Sequence, residues 1–265
     1  MCLHVSKRAQ SESKVTLQLR GRLEGTRVHK LYRYAVSPEY RYVRRVANEV
    51  LAKVPHADFD EVRRKYLVED PGIEGSLIVH TGTRKYLDAQ HWIENAVERA
   101  VAVELQRRQP ISILDLGCGV PYFLVVARHF GHQGVGLDLN ENRMFNDLTK
   151  LFAVNRFEHR IVPFEPLPDF QQKFDLITSY MCYFNFYFSE GRARAWRVDE
   201  WSYFFEDIRK RLNPGGHLRL ELNRGGFYLP PDERGVYLTD ETAAGLRAIP
   251  GVFVSETRSL IRLVI

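Results

Sequence analysis

Ile113-Leu114-Asp115-Leu116-Gly117-Cys118-Gly119-Val120-Pro121 is the most informative stretch of this chain. Apolar residues run into two closely spaced glycines, and a second apolar segment begins at Phe123. That is the pattern of a buried strand, a tight turn and a helix. Gly117 and Gly119 can adopt positive φ, and without a Cβ they let a ligand approach the backbone. The following helix offers N–H groups that have no partner inside the helix. In a parallel α/β sheet such a turn lies at the carboxyl ends of the strands, where ligands bind.

The next informative residue is Asp138, at the end of a second apolar run, Gly134–Leu139. It follows the glycine turn by about 20 residues, where a carboxylate accepts hydrogen bonds from ribose hydroxyls. Turn and carboxylate together point to an adenosine-containing ligand. A dinucleotide is disfavoured. Its fingerprint needs a third glycine where this chain has Tyr122, and Pro121 removes a donor that a pyrophosphate would use. Asp115 beside the turn is a poor neighbour for a diphosphate and a good one for an ammonium or sulfonium. The electrostatics favour a cation.

Strand and helix patterns alternate on the carboxyl side of this stretch. The expected order is a strand at Ile111–Leu116, a helix at Phe123–Phe130, the strand Gly134–Leu139 and a helix over Glu141–Val154. A third strand is expected at Arg160–Phe164, a fourth at Asp175–Tyr180 and a helix over Asp199–Leu212. Asn213-Pro214-Gly215-Gly216 breaks the chain before a fifth strand, His217–Leu222, whose Arg219 and Glu221 leave one face polar. A helix at Thr239–Ala248 and a hairpin, Val252–Glu256 with Ser259–Ile265, finish the chain. Such alternation predicts a mainly parallel sheet covered by helices on both faces.

On the amino side the pattern is helical. Ser37-Pro38 is a hydroxyl cap followed by proline at the first helical position. Val43, Val46, Ala47, Val50, Leu51 and Val54 then recur at helical spacing up to Pro55. A shorter helix is expected over Asp58–Val68, and Asp88 should cap a long one reaching Arg108. The first dozen residues read as frayed. The domain expectation is therefore an N-terminal helical lobe over 1–87, acting as a lid, and a ligand-binding domain over 88–265.

Bulk composition sets outer limits. At 265 residues, with 45% hydrophobic and 27% charged residues, the chain reads as an ordinary soluble globular protein. It has no apolar run of about 18 residues that would span a membrane. Its three cysteines, Cys2, Cys118 and Cys182, are odd in number and far apart, which suits a reducing, cytoplasmic setting and argues against a zinc site. The net charge of +5 is concentrated early, at Arg41, Arg44 and Arg45 and at Arg63, Arg64 and Lys65.

Asp115-Leu116-Gly117-Cys118-Gly119 resembles the first motif of class I S-adenosylmethionine-dependent methyltransferases. Gly136-Leu137-Asp138, Phe174-Asp175-Leu176-Ile177 and Leu212-Asn213-Pro214-Gly215-Gly216 are similar to later motifs of that family, in the same order. The resemblance spans Asp88 to Ile265 and implies a Rossmann-like α/β fold: seven strands, mainly parallel, the last antiparallel. It also implies S-adenosylmethionine as cofactor. Asp115 and the backbone of Gly117 would then position the methionine end, and Asp138 the ribose. Phe164 and Glu165 are the candidates near adenine; Cys118, Gly119, Leu139 and Tyr180 complete the cofactor set.

For the acceptor the expectation is a small molecule methylated at oxygen or nitrogen. The aromatic run Tyr180-Met181-Cys182-Tyr183-Phe184-Asn185-Phe186-Tyr187-Phe188 follows the fourth strand, where the methyl group would lie. Tyr180, Tyr183, Asn223 and Arg224 are the candidate acceptor contacts. His80, His91 and Tyr183 are candidates for a catalytic role, whereas His132, His159 and His217 precede strands and should lie at the wrong edge. The chain has neither an Asn/Asp-Pro-Pro-Tyr after the fourth strand nor a Pro-Cys pair, which argues against DNA-base methylation. No aspartate cluster suggests a metal. Two other readings remain at this point. One is RNA methylation, using the basic lobe with Tyr32, Tyr34, Tyr40 and Tyr42 as a stacking surface; the other is a non-catalytic cofactor-binding scaffold.

Overall fold

The computed structural model describes residues 37–68, 83–189, 192–224, 229 and 235–265. The expectations for the first dozen residues, Tyr32, Tyr34 and His80 fall outside these. Contacts divide the chain into two units, 1–49 and 50–265.

In the first unit, Ser37 caps helix α1 (Pro38–Leu51, whose last two residues belong to the second unit) through its hydroxyl, which accepts from the Tyr40 N–H at 3.2 Å. Tyr40, Val43, Val46 and Ala47 form a buried stripe, and Arg41, Arg44 and Arg45 are exposed.

The second unit opens with α2 (His56–Val68) and a 3₁₀ turn, Arg84–Leu87. Helix α3 (Ala89–Ala102) is capped by Asp88, whose Oδ1 accepts from the His91 N–H at 3.1 Å. It stops well before the expected Arg108. Glu104 takes a left-handed φ of 58°, and a second 3₁₀ turn, Leu105–Arg107, follows. Then come β1 (Ser112–Leu116), α4 (Tyr122–His129), β2 (Gln133–Asp138), α5 (Arg143–Leu151), β3 (Arg156–Glu158) and β4 (Phe174–Cys182). A hairpin of β5 (Phe186–Ser189) and β6 (Arg192–Ala195), which sequence periodicity did not reveal, leads to α6 (Val198–Arg211) and β7 (Leu212–Leu222). The unit ends with α7 (Asp240–Arg247), β8 (Val252–Val254) and β9 (Leu260–Val264).

Seven strands form one sheet in the order β3-β2-β1-β4-β7-β9-β8. The first five are mutually parallel, and β9 runs antiparallel to both β7 and β8. This is the expected Rossmann-like sheet. The chain leaves β1 toward β2 on one side and returns to β4 on the other, which opens a crevice at the carboxyl end of β1. One strand differs from expectation: β3 is Arg156–Glu158, not Arg160–Phe164. Gly136, Leu137 and Asp138 of β2 pair with Arg156, Phe157 and Glu158, which fixes β3 by register. The breaker at Asn213–Gly216 becomes a bulge instead of a turn. Leu212 pairs with Phe174 and His217 with Leu176, so the residues between them loop out, with Gly215 at φ 76°.

One sheet face is apolar. Leu114, Leu116, Ile177, Leu218, Leu220, Leu222, Ile261 and Leu263 pack against α6 and α7. Trp196, Trp201, Phe204 and Phe205 interlock there at centroid distances of 5.3–6.0 Å. Burying each such ring contributes about 1.5–3 kcal/mol, which holds α6 on this face of the sheet. Among the described residues, no helix is long and apolar enough to cross a membrane.

Candidate active site

The opposite face carries the charged chemistry. Asp115 in β1 and Thr178 in β4 are paired neighbours, so their side chains point the same way, and Thr178 Oγ1 donates to Asp115 Oδ1 at 2.7 Å. Asp115 is only 3% exposed. Burial pushes its carboxyl up from 3.8 to about 7, with the Thr178 hydroxyl and the Arg99 charge pulling the other way.

Immediately beyond, Gly117 takes φ 65° and Gly119 φ 52°. At Gly117 the absence of a side chain is required. A Cβ there would lie 2.7 Å from Cys182 Cβ and closer still to its sulfur. The loop is therefore clamped between the ends of β2 and β4. The N–H groups of Gly117 and Cys118 both donate to the Leu137 carbonyl, at 2.7 and 3.2 Å. Asp138 points at the same loop: Oδ2 accepts from the Gly119 N–H at 2.5 Å and Oδ1 from the Leu139 N–H at 2.7 Å. Burial raises the Asp138 carboxyl, and those two backbone donors draw it back down. Cys118 and Cys182 are free thiols, and burial keeps both protonated, Cys182 at about 12.

Strand β4 ends irregularly. Its pairing with β7 shifts between Tyr180 and Cys182, where Met181 takes a left-handed φ of 61°. Asn223, buried at the end of β7, donates its amide to the Met181 carbonyl and holds this bulge. The bulge turns Cys182 toward Gly117 and leaves Met181 and Tyr183 exposed. Phe184 joins the tryptophan cluster, and Asn185 and Phe186 are buried. Phe184 and Phe186 of the aromatic run thus pack inward. Arg224 is exposed and lies over the Tyr237 ring at 5.1 Å.

Tyr180 sits behind this rim. Its ring packs on Phe123 at 4.8 Å, under the Arg99 guanidinium at 4.5 Å, and its hydroxyl is buried without a hydrogen-bond partner. Arg99 also pairs with Glu221 at 3.4 Å, and Glu221 with Arg219 at 3.2 Å. The polar face of the fifth parallel strand is therefore an ion-pair network reaching α3, and it places a positive charge near Asp115.

The remaining candidates are more scattered. Phe164 is exposed at φ 60° and packs edge-on against Tyr203 at 5.8 Å; Glu165 is exposed. His91 lies exposed on α3 beside Asn95. His159 lies at the opposite edge of the sheet from the one expected. Because β3 ends at Glu158, His159 follows that strand at the ligand-binding edge. Its N–H donates to the Asp138 carbonyl at 3.1 Å, and its Nε2 is buried without a partner. Strand-end placement would have identified it had the β3 register been right. His132, by contrast, is structural: its ring bridges the Ile111 N–H and the Leu105 carbonyl.

These groups fit a cationic nucleoside. A desolvated carboxyl near neutrality, a bend with no room for a Cβ at Gly117 and a second carboxylate on the same bend suit a ligand that carries both a positive charge and hydroxyl groups. A pH signature follows. Native Asp115 holds a proton that the unfolded chain has already released, so folding stability falls as pH rises from about 4 to about 7. Asp115→Asn should flatten that part of the curve in denaturant titrations at pH 5 and pH 8. S-adenosylmethionine affinity should run the opposite way, rising with pH to a plateau near 8 as the carboxylate becomes available to a cation.

Comparison with known proteins identifies the family. Residues 89–224 match the family model described as a methyltransferase domain. No curated protein matches in sequence. Similar solved structures include the S-adenosylmethionine-bound amino pentose methyltransferase CalS10 from Micromonospora echinaspora: 18% identity, TM-score 0.46, covering 65% of this chain and 91% of that one. Streptomyces venezuelae DesVI gives 17%, 0.44, 65% and 91%, and the glycopeptide N-methyltransferase MtfA 14%, 0.35, 48% and 53%.

Proposed function

The chain belongs to the S-adenosylmethionine-dependent methyltransferases, and on that premise we propose that it methylates a small molecule at oxygen or nitrogen. When bound, the cofactor supplies an electrophilic methyl group on a sulfonium, so the protein's task is alignment, worth up to about 7–11 kcal/mol in favourable models. In this proposal Asp115 and the Gly117 backbone hold the methionine end, and Asp138 holds the ribose. Cys118, Gly119, Leu139, Phe164 and Glu165 complete the cofactor side.

Tyr183 and Arg224 are the exposed acceptor contacts, with Tyr180 and Asn223 as supports behind them. The observation that carries this reading is the bulge at Met181, which turns an apolar and aromatic rim outward where β4 ends. Such a rim suits a compact, partly apolar acceptor. The division into an N-terminal lobe over 1–87 and a catalytic domain over 88–265 is part of the same proposal.

The test is transfer of labelled methyl from S-adenosylmethionine to a panel of small alcohols, phenols and amines, run beside structured RNA. Turnover on the panel is the expected result. Label in RNA, with affinity falling steeply in salt, would overturn the small-molecule reading.

A further inference from the structure

Tyr86 lies outside the segment matched by the family model, yet the fold brings it to the glycine loop. It belongs to the 3₁₀ turn Arg84–Leu87, which two side chains hold in place. The Tyr122 hydroxyl donates to the Tyr86 carbonyl at 2.6 Å, and the Trp92 indole N–H donates to the Lys85 carbonyl at 2.7 Å. So fixed, the Tyr86 ring packs against Trp92 at 4.4 Å and meets Phe145 edge-on at 5.3 Å. Phe145 in turn covers the loop, since a Cβ on Gly119 would come within 3.6 Å of its ring.

The groups acting electrostatically on the Tyr86 phenol come from three elements around the crevice: Arg99 of α3, Asp138 at the end of β2, and Cys182 with Tyr183 at the end of β4. Burial raises that phenol, so at neutral pH it remains a hydroxyl. Tyr122 stands where a dinucleotide-binding loop would carry its third glycine. A glycine there would leave the turn untied.

We propose that Tyr86 is a cofactor-pocket residue whose ring roofs the glycine loop and contacts the bound nucleoside, and that Tyr122 is the positioning residue holding it there. The proposal rests on the S-adenosylmethionine reading of the loop. It gives Tyr122 a purpose that its position in the loop alone does not.

Calorimetry with S-adenosylmethionine and with its demethylated product tests this without turnover, and thermal unfolding checks that each variant is folded. Tyr86→Ala should weaken both ligands about tenfold, the loss of one aromatic contact surface of about 1.4 kcal/mol. Tyr86→Phe should stay close to wild type, because the ring makes the contact. Tyr122→Phe should fall between the two, since it removes only the tether. Folded Tyr86→Ala with unchanged affinity for both ligands would overturn the proposal. So would a rise confined to the acceptor KM. A Tyr86→Ala chain that does not fold leaves Tyr122→Phe to decide: unchanged affinity there overturns the proposal too. Wild-type protein that binds NAD and neither nucleoside would overturn the underlying reading of the loop as well.

Discussion

Substituting Asp138 with Ala should weaken S-adenosylmethionine binding by about a hundredfold in calorimetry while leaving the chain folded. Two contributions act together. On its proposed role the carboxylate accepts from the ribose, and a hydrogen bond to a charged group is worth about 1.5–3 kcal/mol. The same carboxylate accepts from the Gly119 and Leu139 N–H groups, so removing it also releases the bend that the ligand must meet. A loss of about 2.7 kcal/mol corresponds to two decades of affinity. Asp138→Asn separates the two contributions. Its amide can accept from only one of the two backbone donors and sets an N–H against the other. It should therefore lose nearly as much affinity as Asp138→Ala, despite its closer shape. Affinity within threefold of wild type in both variants would show that Asp138 has no part in ligand binding.

What the sequence revealed, and what it hid, follows from where the constraint lay. The glycine bend, Asp115 and Asp138 were legible because each needs a particular residue type: no Cβ, or a buried carboxylate at a strand end. The α1 and α3 starts were legible because Ser37 and Asp88 are local caps, written in neighbouring residues. β3 was misplaced because a short edge strand is fixed by pairing with β2, a non-local fact that apolar runs such as Ile161–Phe164 imitate. That error moved His159 to the wrong edge of the sheet. The β5–β6 hairpin was hidden because Phe186-Tyr187-Phe188 continue the aromatic run that starts at Tyr180, with no break in the pattern to mark a new strand. The polar face of β7 had no local explanation, since its partner Arg99 lies more than a hundred residues earlier in the chain. Tyr86 gave no signal at all; only the Tyr122 hydroxyl, 36 residues on, reveals its purpose.

The second large effect is expected at Gly117. Replacing it with Ala imposes a left-handed φ of 65° on a residue with a Cβ, which costs roughly 1–2 kcal/mol. It also drives that Cβ into Cys182, and overpacking of this kind costs about 1–3 kcal/mol. Together these should lower folding stability by about 2–5 kcal/mol in denaturant titration, a large share of what a chain of this size has in reserve. The two parts separate in a double-mutant cycle. Cys182→Gly clears the space that the new methyl enters but leaves the backbone strain untouched, so Gly117→Ala in that background should cost only the first part. The interaction energy should then be about 1–3 kcal/mol and favourable. Strict additivity would mean that the end of β4 does not press on the bend, and that Cys182 is a bystander. Recovered stability with cofactor affinity still depressed would separate the clamp from the ligand site: contact with Cys182 fixes the position of the loop, and the positive φ of Gly117 sets the path of the backbone that meets the ligand.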